Sequence, residues 1–387
     1  MAVIYEQLAP VLFGTDAVAD MSGKARAMGK KRAFICCDKG VKDSGASDKV
    51  AEALNANGIA TYLYDQVVPD APDTFVDGVA KIAGNWEADL MIGLGGGSSM
   101  DTAKAAGVVL DNGLPLAAFM EENGNPGFVT KTPVYVIPTA AGTGSECTPM
   151  CVIHETSSNT KKVVLRTAQL AVLDPTLTRT CPPSVTCNSG MDALSHAIEG
   201  YTSVNPNPKD KILAIHAIRL IAEYLPLCIT EPENMEARSN LLFAANIAGI
   251  AFAAMSVHIG HCFAHEVGLR FHLNHGLVCG IATPETIAFV AEAKPKEIRE
   301  IAEAMHIAIP EGADSREAGE ATAAGVRALM KRCGMKSLKE LGIDRTELVS
   351  VARDAIDHNW FHAMCPGDVS YEQMADFLGN AYDHYQE

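Results

Sequence analysis

Apolar and polar positions follow two different rhythms along this chain. In the first half, short aliphatic and β-branched runs predict buried strands: "RAFICCD" (Arg32 to Asp38), "ATYLYD" (Ala60 to Asp65), "DLMIGLGGGSS" (Asp89 to Ser99) and "PVYVIPT" (Pro133 to Thr139). Between the first three, "SDKVAEALNANG" and "FVDGVAKIAGNW" carry helical spacing. This β-α-β-α order predicts a parallel sheet with helices on both faces. "MCVIHETSSNTKKVVL" (Met150 to Leu165) differs, since two apolar runs around a polar turn predict a hairpin on the domain's edge. Beyond "LAVLDP" and the breaker pair in "CPPS", strand signals almost vanish. Helical stretches follow from Met191 onward, among them "KDKILAIHAIRLIAEYL", "PKEIREIAEAM", "EAGEATAAGVRALMKRCG" and "YEQMADFLGNAY". The expected organisation is an α/β N-terminal domain with a parallel sheet, residues 1–182, followed by an all-α C-terminal domain, residues 183–387.

Composition narrows the partners. A chain of 387 residues exceeds the size at which one core keeps growing, in keeping with two domains. Its net charge of −16, with no run of Lys or Arg, argues against nucleic acid, which needs basic patches. "LLFAANIAGIAFAAMSV" (Leu241 to Val257) approaches membrane-spanning length, but it is rich in Ala and Gly and is expected to be a buried helix. "MAVIYEQLAP" has no basic flank before an apolar core, so no signal peptide is expected. Eleven scattered cysteines form no repeating framework; reduced thiols in a cytoplasmic protein are the simplest account.

Two loops suit a nucleotide. "GLGGGSSMDTAK" (Gly93 to Lys104) follows a predicted strand and opens a helix, where backbone N–H groups and the helix dipole can hold a pyrophosphate. It departs from the dinucleotide fingerprint, because Ser98 stands at the third glycine position. A tight turn needing glycine for positive φ is the competing account. Asp38, closing "RAFICCD", suits an adenosine ribose and would repel a 2′-phosphate, which favours NAD over NADP; an ordinary helix N-cap is the alternative. "PTAAGTGSE" (Pro138 to Glu146) adds a second loop of small and hydroxyl residues after a strand.

Five of the twelve histidines fall within "HIGHCFAHEVGLRFHLNHG" (His258 to Gly276), a density that suggests metal coordination or proton transfer over five separate packing roles. Upstream, "GMDALSHAIEGY" sets Asp192 and His196 four residues apart, on one face of a helix. His261 and His265 repeat that spacing, and His275 follows where the chain can turn back. One Asp with three His makes a hard-to-borderline set suited to Fe(II) or Zn(II), with a position open for a substrate oxygen.

"GGGSSMDTAK", "PTAAGTGSE", "GMDALSHAIEGY" and "HCFAHEVGLRFHLNHG", in this order and at these intervals, resemble the iron-containing (group III) alcohol dehydrogenases, a family that includes lactaldehyde reductases and 1,3-propanediol dehydrogenases. The resemblance spans nearly the whole chain. It implies an active site in a cleft between the two domains, a homodimer or larger homo-oligomer, and reversible oxidation of an alcohol with NAD(H) and one divalent metal. It also implies Asp192, His196, His261 and His275 as metal ligands, with His265 close by in a proton relay. For the cofactor it implies Asp38 at the ribose, Gly95, Gly96, Gly97 and Ser98 at the pyrophosphate, Asp101 and Thr139 nearby, and Thr143, Thr148 and Lys162 around the nicotinamide half. The chain departs from the family pattern at Ala140, Asp70, Asn274 and "CPGD" (Cys365 to Asp368), and most suggestively at His258 and Arg270. Those two are expected to serve a polar or anionic substrate tail; the alternative is a turn cap for His258 and an outward salt bridge for Arg270. Competing activities are a dehydroquinate synthase-like lyase, which needs a site crowded with Lys and Arg, and a plain metallohydrolase, which leaves the glycine turn unexplained.

Overall fold

The computed structural model describes residues 6–120 and 127–386; Met1–Tyr5, half of the stretch read above for a leader, lie outside it. The chain divides into two compact units. One comprises Glu6–Ala140 and Gly144–Cys181, the other Pro182 onward together with Ala141–Thr143.

The first unit contains β1 (Val11–Phe13), α1 (Ala17–Ala27), β2 (Arg32–Cys36), α2 (Lys39–Asp43), α3 (Ala46–Ala56), β3 (Ala60–Tyr64), α4 (Asp73–Asn85), β4 (Leu90–Gly95), α5 (Gly97–Asn112), β5 (Val134–Pro138), β6 (Met150–Glu155), β7 (Thr160–Leu165) and β8 (Leu170–Leu173). Six strands form one parallel sheet in the order β1-β8-β5-β4-β2-β3. Strand alternation divides its side chains between two cores. Phe34, Cys36, Met91 and Val136 pack with α4 and α5 on one face; Ile35, Leu90, Ile92 and Ile137 pack with α1 and α3 on the other. The chain runs outward from β2 to β3, then returns to β4 and proceeds the opposite way. The carboxyl ends of β2 and β4 therefore flank a topological switch point, where sheets of this kind bind ligands. β6 and β7 pair antiparallel as expected, but as a separate two-stranded sheet that does not extend the main one.

The second unit is helical among its described residues: α6 (Pro183–Thr202), α7 (Pro208–Thr230), α8 (Met235–Met255), α9 (Ile259–Phe271), α10 (His275–Val290), α11 (Pro295–Ala304), α12 (Ser315–Arg332), α13 (Arg345–Ser350), α14 (Ala352–Asp357) and α15 (Tyr371–Asp383). By length and composition α7 and α8 could each cross a membrane, yet most of α8 is buried within the unit, as expected for Leu241 to Val257. Helices α6, α9 and α10 pack together and carry the candidate ligands. Gly276 permits the α6–α10 contact, because a Cβ there would stand 2.4 Å from the Asn188 carbonyl oxygen.

Candidate active site

In the α/β unit, the switch point presents the predicted nucleotide loop. Gly95 adopts φ +140°, and a Cβ there would lie 2.8 Å from Ser99 Oγ, so only glycine fits the turn. Gly96 is the N-cap of α5 and offers no side chain to its first turn, while Gly97 and Ser98 begin the helix. The amino end of α5 thus holds backbone donors that an anion can satisfy. The Thr139 N–H donates to the Gly95 carbonyl at 3.1 Å and ties the neighbouring loop to this turn.

Asp38 caps α2, its Oδ1 accepting from the Val41 N–H at 2.9 Å, so the simple capping role is real and engages one of its two oxygens. Asp101 departs from its expected place at the cofactor. Its Oδ1 accepts from Ser145 Oγ at 2.5 Å and lies 3.1 Å from the buried Lys104 ammonium; its Oδ2 accepts from the Val152 N–H at 3.0 Å. Both oxygens are engaged within the unit, Oδ2 by β6 and Oδ1 by the Ser145 loop and Lys104. Thr148 is buried, and Lys162 lies half-buried on β7, opposite Ile153. Thr143 belongs to the other unit, on the three-residue segment that clusters with the helices.

In the helical unit, Asp192, His261 and His275 converge as expected, joined by a residue the sequence reading missed, Cys279. One donor atom from each of these four lies within 4.8 Å of every other. His275 Nε2 is 3.7 Å from Asp192 Oδ1, and the His261 and His275 rings stand 5.5 Å apart. Asn274, where the family pattern has another residue, caps α10 by accepting from the Leu277 N–H, which sets His275 at the first helical position. His196 stands outside this quartet. Its Nε2 lies 3.9 Å from Asp192 Oδ1, and its ring stacks on Phe252 and His261. Burial pushes the His196 imidazole down to about 4.

Glu199, also missed, organises the cluster. It is fully buried; Oε1 accepts from His261 Nδ1 at 2.6 Å, and Oε2 accepts from the His258 N–H at 2.6 Å. Burial alone would raise the Glu199 carboxyl, but His261 and His258 outweigh it and hold the group down to about 2. An ionised carboxylate can only accept, so His261 carries a proton on Nδ1 and presents Nε2 to the cluster. The sequence signal was present: Asp192, His196 and Glu199 share one face of α6.

His265 Nδ1 lies 3.0 Å from Asn359 Oδ1. The Asn359 amide donates to Glu266 and to the Ala355 carbonyl, so its oxygen faces the histidine, and His265 Nδ1 is the donor. The ring stands 5.5 Å from that of His275.

The two residues expected at a substrate tail are placed otherwise. His258 is fully enclosed, its Nε2 bonded to Thr202 Oγ1 at 2.9 Å, and burial pushes it down to about 4. Arg270 points to solvent and pairs with Glu347 at 3.2 Å.

Residues 9–175 match the family description "Iron-containing alcohol dehydrogenase", and residues 186–382 match "Fe-containing alcohol dehydrogenase family, C-terminal". The chain is 32% identical to the NAD-dependent methanol dehydrogenase of Bacillus methanolicus over 96% of its own length and 97% of that protein. Among solved structures, alcohol dehydrogenase from Oenococcus oeni superimposes with a TM-score of 0.91 at 28% identity, covering 98% of this chain and all of that one. Sulfoacetaldehyde reductase from Bifidobacterium kashiwanohense in complex with NAD+ gives 0.88 at 26%, covering 99% of each. With both halves matched, the chain belongs to the iron-containing alcohol dehydrogenase family, whose enzymes use NAD(H) and a divalent metal.

Proposed function

We propose that this NAD-dependent alcohol dehydrogenase interconverts a short-chain neutral alcohol and its aldehyde at the Asp192–His261–His275 cluster. The observation that carries the reading is Asp192 Oδ1, a buried carboxylate oxygen without a hydrogen-bond donor among the described residues, facing two imidazoles. A buried acceptor in that state fits a cation. When bound, a divalent metal supplies Lewis acidity at the alcohol or carbonyl oxygen, and NAD(H) supplies hydride exchange.

The chain's own groups do the rest. Asp192, His196, His261 and His275 would hold the ion, and Glu199 orients the His261 ring. Gly95, Gly96, Gly97 and Ser98 receive the pyrophosphate at the amino end of α5, and Asp38 the ribose with the oxygen its capping bond leaves. Thr139, Thr143, Thr148 and Lys162 stand as further cofactor contacts, Asp101 as their scaffold. His265, its Nδ1 held by Asn359, takes the substrate hydroxyl proton at Nε2.

Neutral substrates are favoured because Arg270 and His258, the groups available for an anionic tail, are engaged elsewhere. The homo-oligomer implied by the family pattern is retained for test by sedimentation. A cytoplasmic location is supported by eleven cysteines that all remain free thiols. The decisive experiment is NADH-linked reduction of propanal and of an acid-bearing aldehyde by protein loaded separately with Fe(II) and Zn(II). Metal-dependent turnover that prefers propanal supports the proposal; turnover unaffected by chelation, or confined to the acid, overturns it.

A further inference from the structure

We infer that Asn359 and Glu266 are positioning residues of the proton transfer, locking His265 in the tautomer whose Nε2 is unprotonated; this rests on the catalytic role given to His265 above. A neutral imidazole carries its one proton on either nitrogen, and only the other nitrogen can take up a proton from a substrate hydroxyl. His265 alone does not settle which. The choice passes to the group that Nδ1 meets, Asn359 Oδ1 at 3.0 Å. A primary amide is ambiguous in this role, because a half-turn about its last bond exchanges the oxygen for an N–H₂ group. With the oxygen toward His265, Nδ1 holds the proton and Nε2 is basic. With the N–H₂ toward it, the proton moves to Nε2 and the base is lost.

Asn359 is pinned at every polar atom so that the first arrangement holds. Its Nδ2 donates to Glu266 Oε1 at 3.2 Å and to the Ala355 carbonyl at 3.3 Å, two acceptors that would repel an amide oxygen. Its backbone N–H donates to the Ile356 carbonyl at 3.3 Å, and its backbone carbonyl accepts from His362 Nδ1 at 2.6 Å. Glu266 Oε2 meets His358 Nδ1 at 3.3 Å, which leaves Oε1 for the amide. Asn359 is buried, so water competes little for these bonds. It thus clasps two consecutive residues of α9, accepting from His265 and donating to Glu266. Phe361 meets the His265 ring at 71°, centroids 5.4 Å apart, and limits its rotation. An amide oxygen accepts a hydrogen bond but cannot pass the proton on. The substrate proton taken up at Nε2 therefore leaves from Nε2 to water, and Nδ1 keeps its own proton throughout.

The test joins a tautomer measurement to kinetics. In nitrogen NMR of metal-free protein carrying isotope-labelled histidine, the His265 signals, identified by their absence from His265→Ala, are expected to place the proton on Nδ1. Asn359→Leu removes the acceptor, and Glu266→Met removes the partner that keeps the amide from turning. Each is expected to shift the His265 proton toward Nε2 and to lower kcat for propanol oxidation with bound metal unchanged. The loss is bounded by the about 100-fold to 10,000-fold that a general base contributes. In a His265→Ala background the same two substitutions are expected to cost nothing further, which a merely structural role would not produce. Should Asn359→Leu not fold, Glu266→Met and the wild-type spectrum decide. A wild-type proton on Nε2, wild-type kcat in a folded variant, or an equal loss with and without His265 would overturn the positioning role and leave the proposed function standing. His265→Ala turning over at the wild-type rate would overturn the catalytic role of His265, and this inference with it.

Discussion

Glu199→Gln tests the logic of the cluster with almost no change in shape. The carboxylate accepts at both oxygens, from His261 Nδ1 at 2.6 Å and from the His258 N–H at 2.6 Å. A glutamine can accept at only one. With its oxygen toward His258, the amide N–H₂ meets His261 and drives that ring's proton to Nε2, where it blocks the metal. With its oxygen toward His261, the amide N–H₂ opposes the His258 N–H, leaving a buried donor unpaired at roughly 1–3 kcal/mol. Either way a charge-assisted bond is lost. Partners of metal-bound histidines typically contribute about 10–100-fold in affinity, or about 1.4–2.7 kcal/mol. Glu199→Gln should therefore weaken Zn(II) binding by about 10–100-fold, read by competition against a chelator of known affinity on protein shown to be folded by circular dichroism. Wild-type affinity in a folded variant would refute the claim that Glu199 sets the His261 tautomer.

Other consequences follow from the same geometry. His265→Ala should keep a full complement of metal while kcat falls by about 100-fold to 10,000-fold; loss of metal would make His265 a ligand instead. Gly95→Ala forces a Cβ at φ +140° to within 2.8 Å of Ser99 Oγ, and a backbone strain of about 1–3 kcal/mol predicts NAD binding weaker by about 5–150-fold, with metal content unchanged by elemental analysis. Asp192→Asn should abolish metal binding yet melt no lower than metal-free wild type, since it removes a buried charge one of whose oxygens lacks a donor; a much lower Tm would show that the protein already compensates that charge. His196 and His258 are held down to about 4 in the folded protein, below an unfolded value of about 6.5, so the unfolded chain binds more protons in between. Their stabilisation is complete above about pH 6.5 and is lost as pH falls toward 4, at about 1.4 kcal/mol per pH unit for each; urea titrations of metal-free protein between pH 7 and 5 should show it, and a flat profile would contradict it.

Much of this fold was legible because β2, β4 and β5 are buried on both faces and read as continuous apolar runs. β2, β3, β4 and β5 fall within the predicted segments, and the switch point follows from their order. β1 was not predicted, and β8 was marked only as "LAVLDP", the last strand signal. At three and four residues they carry no usable periodicity, and Val11–Phe13 becomes a strand only by pairing with Ala171–Leu173, far away in sequence. At the site, four-residue spacings pointed to Asp192 with His196 and to His261 with His265, and His275 followed from the chain turning back; of these Asp192, His261 and His275 come together in one cluster. The same spacing links His275 to Cys279, but a cysteine among eleven read as one more scattered thiol. Glu199 was passed over because acidic residues on helices are usually solvated; burial and the approach of α9 distinguish it. Asp101 shows the opposite failure: a motif position suggested a cofactor contact where packing assigns an anchor for the β6–β7 sheet.

The contrast between the two buried carboxylates explains why this region of the helical unit is chemical rather than structural. Removing a carboxylate from water costs several kcal/mol unless protein groups replace the lost hydration. Glu199 meets that condition within the protein, with a backbone N–H on one oxygen and an imidazole N–H on the other. Asp192, two turns earlier on the same face of α6, does not: its Oδ1 has no donor among the described residues, and the imidazoles of His196 and His275 lie 3.9 Å and 3.7 Å from it. A fold that needed only stability would place an apolar residue at position 192, as such replacements of buried charges are often neutral or stabilising. Retaining a carboxylate oxygen without a donor beside two imidazoles leaves a charge that a bound cation can offset, in keeping with the metal site proposed above. The tautomer imposed on His261 by Glu199 has a purpose only once that cation arrives.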